Sequence, residues 1–199
     1  MSHIKTLVRP VDLHADPIKK SRFIGSAAPA SSPEAALAHV ATVRAAFADA
    51  GHHCWAYALA DDRERCSDDG EPGGSAGRPI LAQIHGRDLR DVCVVVTRYF
   101  GGVKLGVGGL IRAYGGTAGQ TLDRGEVRVV PRTVEASLSY GYSDTGAVQN
   151  VLSSRAVDIT STRWGEVVQR SVRVAEAELT ELQEALADAT AGRVTAVEG

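Results

Sequence analysis

Residues 97–116 read TRYFGGVKLGVGGLIRAYGG, with five glycines among the nine positions 101–109, three cations and no acid. The segment follows Asp91-Val92-Cys93-Val94-Val95-Val96, a β-branched apolar run that predicts a buried strand. Strand, glycine-rich turn and helix start are the parts needed to present backbone N–H groups to an anion. Glycine lets the backbone approach a ligand closely, and a helix N-terminus carries roughly half a positive charge. Arg98, Gly101, Gly102, Lys104, Gly106, Gly108, Gly109 and Arg112 are therefore candidates for a phosphate- or RNA-binding surface.

A structural alternative accounts for some of the same glycines. Gly115-Gly116 falls inside the helix-like run, where each glycine costs about 1 kcal/mol relative to alanine. Close packing or a bend would explain that pair without any ligand. Two nucleotide motifs fail outright. Ile111 stands where a dinucleotide fingerprint needs its third glycine, and Leu105 follows Lys104 where a Walker A loop needs Ser or Thr.

At 199 residues the chain is long enough for one large domain or two small ones. The longest apolar stretch is far short of a membrane span, and the first residues show no secretory h-region. Cys54, Cys66 and Cys93 are odd in number and widely spaced, which reads as reduced thiols in a cytoplasmic protein. Charge is uneven: residues 1–131 carry 16 basic and 14 acidic side chains, residues 132–199 carry 6 and 10. A nucleic-acid footprint would thus have to be a local patch on the first part.

The pattern changes near Pro131, which predicts domains over 1–131 and 132–199. In the first, Arg22-Phe23-Ile24-Gly25 reads as a strand with a basic entry at Lys19-Lys20. Ser32-Pro33 opens a helix whose buried face is expected at Leu37, Val40, Val43 and Phe47. His52–Leu59 is the next strand, residues 61–74 a polar loop, and a short helix runs from Ser75 towards Ile84. Val127–Val130 closes this part. In the second, strands at Val134–Leu138, Val157–Ile159, Val168–Val174 and Val194–Val197 alternate with helices marked by Val148 and Leu152 and by Leu179, Leu182 and Leu186. Ser143 is the expected cap of the first of these helices. The order β-α-β-β-α-β is the ferredoxin-like pattern, so the fold class is α+β.

Ser67-Asp68-Asp69-Gly70-Glu71-Pro72 concentrates three carboxylates. Asp68, Asp69 and Glu71 could hold Mg²⁺ or act as a base, or they could form Asx-turns and a cap. His52, Cys54 and Cys66 invite a zinc reading, but no paired ligand spacing completes four ligands, and no metal or cofactor is expected. A Cys54 nucleophile has no motif around it.

Three segments taken together resemble the IMPACT family in its bacterial, YigZ-type branch. They are His53-Cys54-Trp55-Ala56-Tyr57, then Ser67–Pro79, then Thr97–Leu110, with the Lys20–Ile24 strand fitting as well. Ser75 stands where threonine is usual and Val103 where isoleucine is common. The resemblance implies a ribosomal-protein-S5-domain-2-like first domain and a ferredoxin-like second one, a pair similar to the last two domains of elongation factor G. That likeness points to RNA or the ribosome, although fold alone does not fix function.

The leading expectation is a non-catalytic regulatory binding protein of translation, contacting phosphates through the glycine-rich basic surface with no DNA sequence specificity. One alternative is a Mg²⁺-dependent enzyme acting on a phosphorylated or nucleotide-like molecule, performing phosphoryl transfer or hydrolysis. The other is a protein–protein adaptor. Whether residues 67–77 and 97–112 meet in space bears on the choice, because a shared cleft of acids and bases favours the enzyme.

Overall fold

The computed structural model describes residues 3–155 and 157–198. The chain divides into two compact units, Ile4–Val130 and Pro131–Gly199, the latter counted with Met1–His3. It is mixed α and β in both. The first part runs β1 (His3–Leu7), β2 (Val11–His14), β3 (Arg22–Pro29), α1 (Pro33–Ala46), β4 (His52–Ala58), β5 (Glu64–Ser67), α2 (Gly77–Gly86), β6 (Val92–Tyr99), α3 (Val107–Asp123) and β7 (Val127–Pro131).

Five of these strands form an antiparallel sheet in the order β2-β3-β6-β4-β5, and β1 pairs with β7 in a separate two-stranded sheet. The central β6 explains its own sequence. Val92, Val94 and Val96 pack with Ile80, Ile84, Leu110 and Tyr114 of α2 and α3 on one face. Cys93 and Val95 pack with Val40 and Val43 of α1 on the other. A strand covered on both faces has no solvent side and so shows no alternation.

Three expectations shift here. Leu37 is 42% exposed, and Ala36 joins Val40 and Val43 on the buried face of α1. The polar loop contains β5, an edge strand pairing with β4, whose polar composition hid it. The helix after residue 75 begins at Gly77, because Asp68 caps it from a distance.

The second unit runs β8 (Thr133–Tyr140), α4 (Thr145–Ser154), β9 (Asp158–Trp164), β10 (Val168–Ala175), α5 (Leu179–Ala189) and β11 (Val197–Glu198). Its sheet has the order β11-β8-β10-β9. Val134, Ala136, Leu138 and Tyr140 of β8 face Val148, Leu152, Leu182 and Leu186 of the two helices, and the other face of the sheet is open. Ser143 lies in a 3-10 turn, and α4 has no side-chain cap.

Candidate functional site

The glycine-rich segment leaves the sheet at the end of β6 and returns as α3. Gly101 must be glycine, since a Cβ there would lie 2.0 Å from the backbone carbon of Lys20. Gly102 and Gly106 have φ of +83° and +74°, the left-handed region that favours glycine. Gly106 is the N-cap of α3 and offers no side-chain cap. The first helical bond runs from Leu110 N–H to the Gly106 carbonyl, so Val107, Gly108 and Gly109 contribute N–H groups without an intrahelical acceptor. No acid occupies the first turn of this 17-residue helix.

Arg112 turns back over this end, its Nη1 3.7 Å from where a Gly108 Cβ would sit. Lys104 and Arg112 are exposed and form no ion pair with the described residues. Gly115 and Gly119 serve packing instead: a Cβ on Gly119 would lie 2.7 Å from Gln83 Oε1, and one on Gly115 would contact Pro79. Two helices therefore approach closely along the glycine side of α3.

Arg98, expected among the phosphate contacts, is elsewhere. Its side chain is 6% exposed and its Nη1 lies 2.7 Å from Glu71 Oε1, itself on a side chain 5% exposed. Tyr114 of α3 donates its hydroxyl to the same Glu71 oxygen at 2.6 Å, and Arg98 Nη2 reaches the Ser21 hydroxyl at 3.3 Å. Burial, with nearby Cys54 and Glu71, pushes the Tyr114 hydroxyl well above its ordinary pKa, so it stays a donor. Residues 67–77 and 97–112 thus meet, but through a neutralised pair rather than an open cleft of acids and bases.

The other two acids are also engaged. Asp68 accepts the N–H groups of Gly74, Ala76 and Gly77 at 2.8, 2.9 and 2.8 Å, closing the loop and capping α2. Burial raises its carboxyl, but these bonds and the Arg78 charge outweigh that and hold its pKa below the ordinary value. Asp69 accepts from Arg44 and from the His53 N–H. The turn-and-cap explanation holds for Asp68, whereas Asp69 and Glu71 are engaged in ion pairs with Arg44 and Arg98.

His52 Nδ1–H donates to the Asp69 carbonyl at 2.8 Å, leaving Nε2 4.0 Å from Glu71 Oε1. The buried Cys54 thiol donates to the Asp68 carbonyl, and burial pushes its pKa up to about 12. A buried thiol held protonated at neutral pH is not a ready nucleophile. Among the described residues no group of three or more His, Cys, Asp or Glu side chains has metal-binding proximity.

The basic entry to β3 also has a place in this region. Arg22 pairs in register with Tyr99 and stacks on its ring at 4.4 Å. The Lys19-Lys20 turn, with φ of 45° and 68°, lies against Gly101. Lys19, Lys20 and Arg22 therefore lie at the end of the sheet that leads into the glycine loop, and they, Lys104 and Arg112 are all exposed. The signal for the first three was the basic run itself, but only the β3–β6 register brings it to the glycine loop.

Every one of these residues falls within 19–122, which match the Impact N-terminal domain; residues 138–193 match a domain of unknown function, DUF1949. The chain belongs to the IMPACT family. It is 38% identical to the IMPACT family member YigZ of Escherichia coli over 88% of each chain. It is 34% identical to YvyE of Bacillus subtilis over 100% of this chain and 93% of that one. A crystal structure described as that of a hypothetical protein superposes with a TM-score of 0.77 at 35% identity, covering 99% of this chain and 97% of the other. The likeness to these IMPACT relatives thus extends over both units. No helix among the described residues is long and apolar enough to cross a membrane.

Proposed function

We propose that this IMPACT protein is a non-catalytic regulator acting in the cytoplasm on the translation machinery, contacting RNA or ribosomal phosphates through the basic edge of its first domain. The observation that carries this reading is the uncapped N-terminus of α3, flanked by the exposed cations Lys104 and Arg112. Backbone N–H groups and mobile cations suit a phosphate chain, which such contacts position without reading sequence. The strand order β11-β8-β10-β9 with two helices on one face supports a ferredoxin-like second domain. An S5-domain-2-like first domain is the matching proposal for residues 1–131. The engagement of Asp68, Asp69 and Glu71 within the fold weighs against a Mg²⁺-dependent enzyme at that loop.

The test is fluorescence anisotropy with labelled single-stranded RNA and with purified ribosomal subunits. Wild type is compared with K104A/R112A at low and physiological salt. Arg98 is left intact, because its replacement would disturb the fold. Engagement of Lys19, Lys20, Arg22, Lys104 and Arg112 gives a slope of log affinity on log salt of roughly −3 to −4, and the double variant loses part of it. Unchanged affinity in a folded K104A/R112A protein overturns the reading.

A second reading, a protein-facing adaptor, draws on the same edge. Phe100, Val103, Val107 and Ile111 are 57, 42, 54 and 42% exposed beside the cations. Binding to subunits that resists salt but falls in I111S would favour it.

A further inference from the structure

The open face of the second unit's sheet is built in cross-strand rows. Ser137, Ser171 and Ser161 lie side by side on β8, β10 and β9. The next row is Ser139, Gln169 and Arg163. Beyond the serine row on its other side stand Glu135, Arg173 and Asp158, where Arg173 pairs with Glu135 at 3.3 Å. A β-bulge at Ser171/Val172 makes this possible. Without its extra residue, Asp158 and Ser161, three positions apart, would point to opposite faces.

The first two rows line an open cavity of about 530 Å³, bordered also by Thr195 and Arg193. That volume is in the range of small-molecule sites. No lining residue is a carboxylate. Ser139, Ser161, Ser171, Gln169 and Arg163 make no side-chain hydrogen bond to the described residues, and Ser137 makes only a long one of 3.4 Å to the Val197 carbonyl. Of the three lining arginines, Arg193 is engaged with Asp144 at 2.6 Å and Arg170 with Gln149 Oε1 at 2.7 Å, so Arg163 is the one left to a ligand.

We infer that this cavity binds a sugar phosphate, with the phosphate at Arg163 and Gln169 and the sugar hydroxyls along Ser137, Ser171 and Ser161. Arginine supplies the planar fork that suits phosphate oxygens. Serine hydroxyls both donate and accept, which suits hydroxyls rather than a purely anionic ligand. Rows on one face repeat about every 7 Å along the strands, the scale of one sugar–phosphate unit. No aromatic side chain lines the cavity, so a base attached to the sugar is not stacked and contributes little. The same chemistry occurs in a free nucleotide and in each unit of an RNA strand.

The test uses the full-length ¹⁵N-labelled chain titrated with ribose 5-phosphate, AMP, decauridylate and, as controls, ribose and sulfate. The expected result is saturable movement of the Ser137, Ser161, Gln169 and Ser171 amide resonances with ribose 5-phosphate and AMP alike. R163A should weaken binding about tenfold, and S161A/S171A should weaken it without changing the melting temperature. K104A/R112A, in the other unit, leaves it unchanged, so failure here and failure of the RNA reading are separable. Decauridylate binding far tighter than AMP assigns the site to a strand, and equal affinity assigns it to a free metabolite. Resonances unmoved by every phosphorylated probe, sulfate binding as well as ribose 5-phosphate, or full affinity in R163A overturns the assignment.

Discussion

Glu71 and Arg98 meet at 2.7 Å with both side chains almost wholly withdrawn from solvent. They tie the acidic loop to the central strand, and Tyr114 brings α3 to the same carboxylate oxygen. Three segments far apart in sequence are thereby pinned around one charge pair. The exposed basic residues of this unit do not include it.

Removing one member leaves the other charged and buried without a partner. E71A and R98A should each lose about 3–5 kcal/mol of stability, whereas E71L/R98M should lose much less than their sum. Urea denaturation of the four proteins measures this. Additive losses would mean that the two side chains act independently.

Asp68 links stability to pH. Its folded pKa lies below the ordinary value, so its contribution is full above about pH 4 and is lost as pH falls through the folded value. D68N should lose about 1–2 kcal/mol at neutral pH and show a smaller loss, relative to wild type, in strong acid. Melting temperatures from pH 2 to 7 test the convergence of the two curves.

Gly101 and Gly108 make opposite predictions. A methyl group at Gly101 collides with backbone at Lys20, which cannot turn aside, so G101A should cost roughly 2 kcal/mol or more. At Gly108 the nearest atom is the end of the Arg112 side chain at 3.7 Å. G108A should fold with at least wild-type stability, since alanine suits a helix better than glycine, and any loss of RNA affinity it shows reports on this helix end, backbone and Arg112 together. Thermal melts read beside anisotropy separate the two effects.

Thiol chemistry should follow burial. Cys54 and Cys93 are buried and pushed up to about 12, whereas Cys66 is half-buried on an edge strand with its pKa raised by the same cause. A maleimide at neutral pH should label Cys66 first, leaving the other two until denaturant is added. Mass spectrometry of the labelled protein reads the order directly, and early labelling of Cys54 would contradict its bond to the Asp68 carbonyl.

Much of the architecture was legible because it depends on local periodicity. The apolar run at 92–96 announces a strand buried on both faces, and Ser32-Pro33 announces the start of α1, where Ser32 does accept the Ala35 N–H. β5 was not legible, because an exposed edge strand needs no apolar face and its Glu64-Arg65-Cys66-Ser67 reads as loop. Leu37 was misplaced because residues 36 and 37 lie only 100° apart on a helix, and packing against the sheet selects between them.

The candidate site divides in the same way. Its glycines, its helix start and the cations Lys104 and Arg112 follow from residue type and spacing along one continuous stretch of chain. Whether a charge in that stretch is free or neutralised depends on which distant residue faces it. Nothing local distinguishes Arg98 from Arg112, yet the pairing of β6 with its neighbours and the closure of the 67–77 loop bury one against Glu71 and leave the other in solvent. The β3–β6 register likewise brings Lys19, Lys20 and Arg22 to the glycine loop. Residue type and spacing set most of the elements and the stock of charges. Which charges cancel is settled by the fold, because Coulomb pairing depends on distance in space and not on separation along the chain.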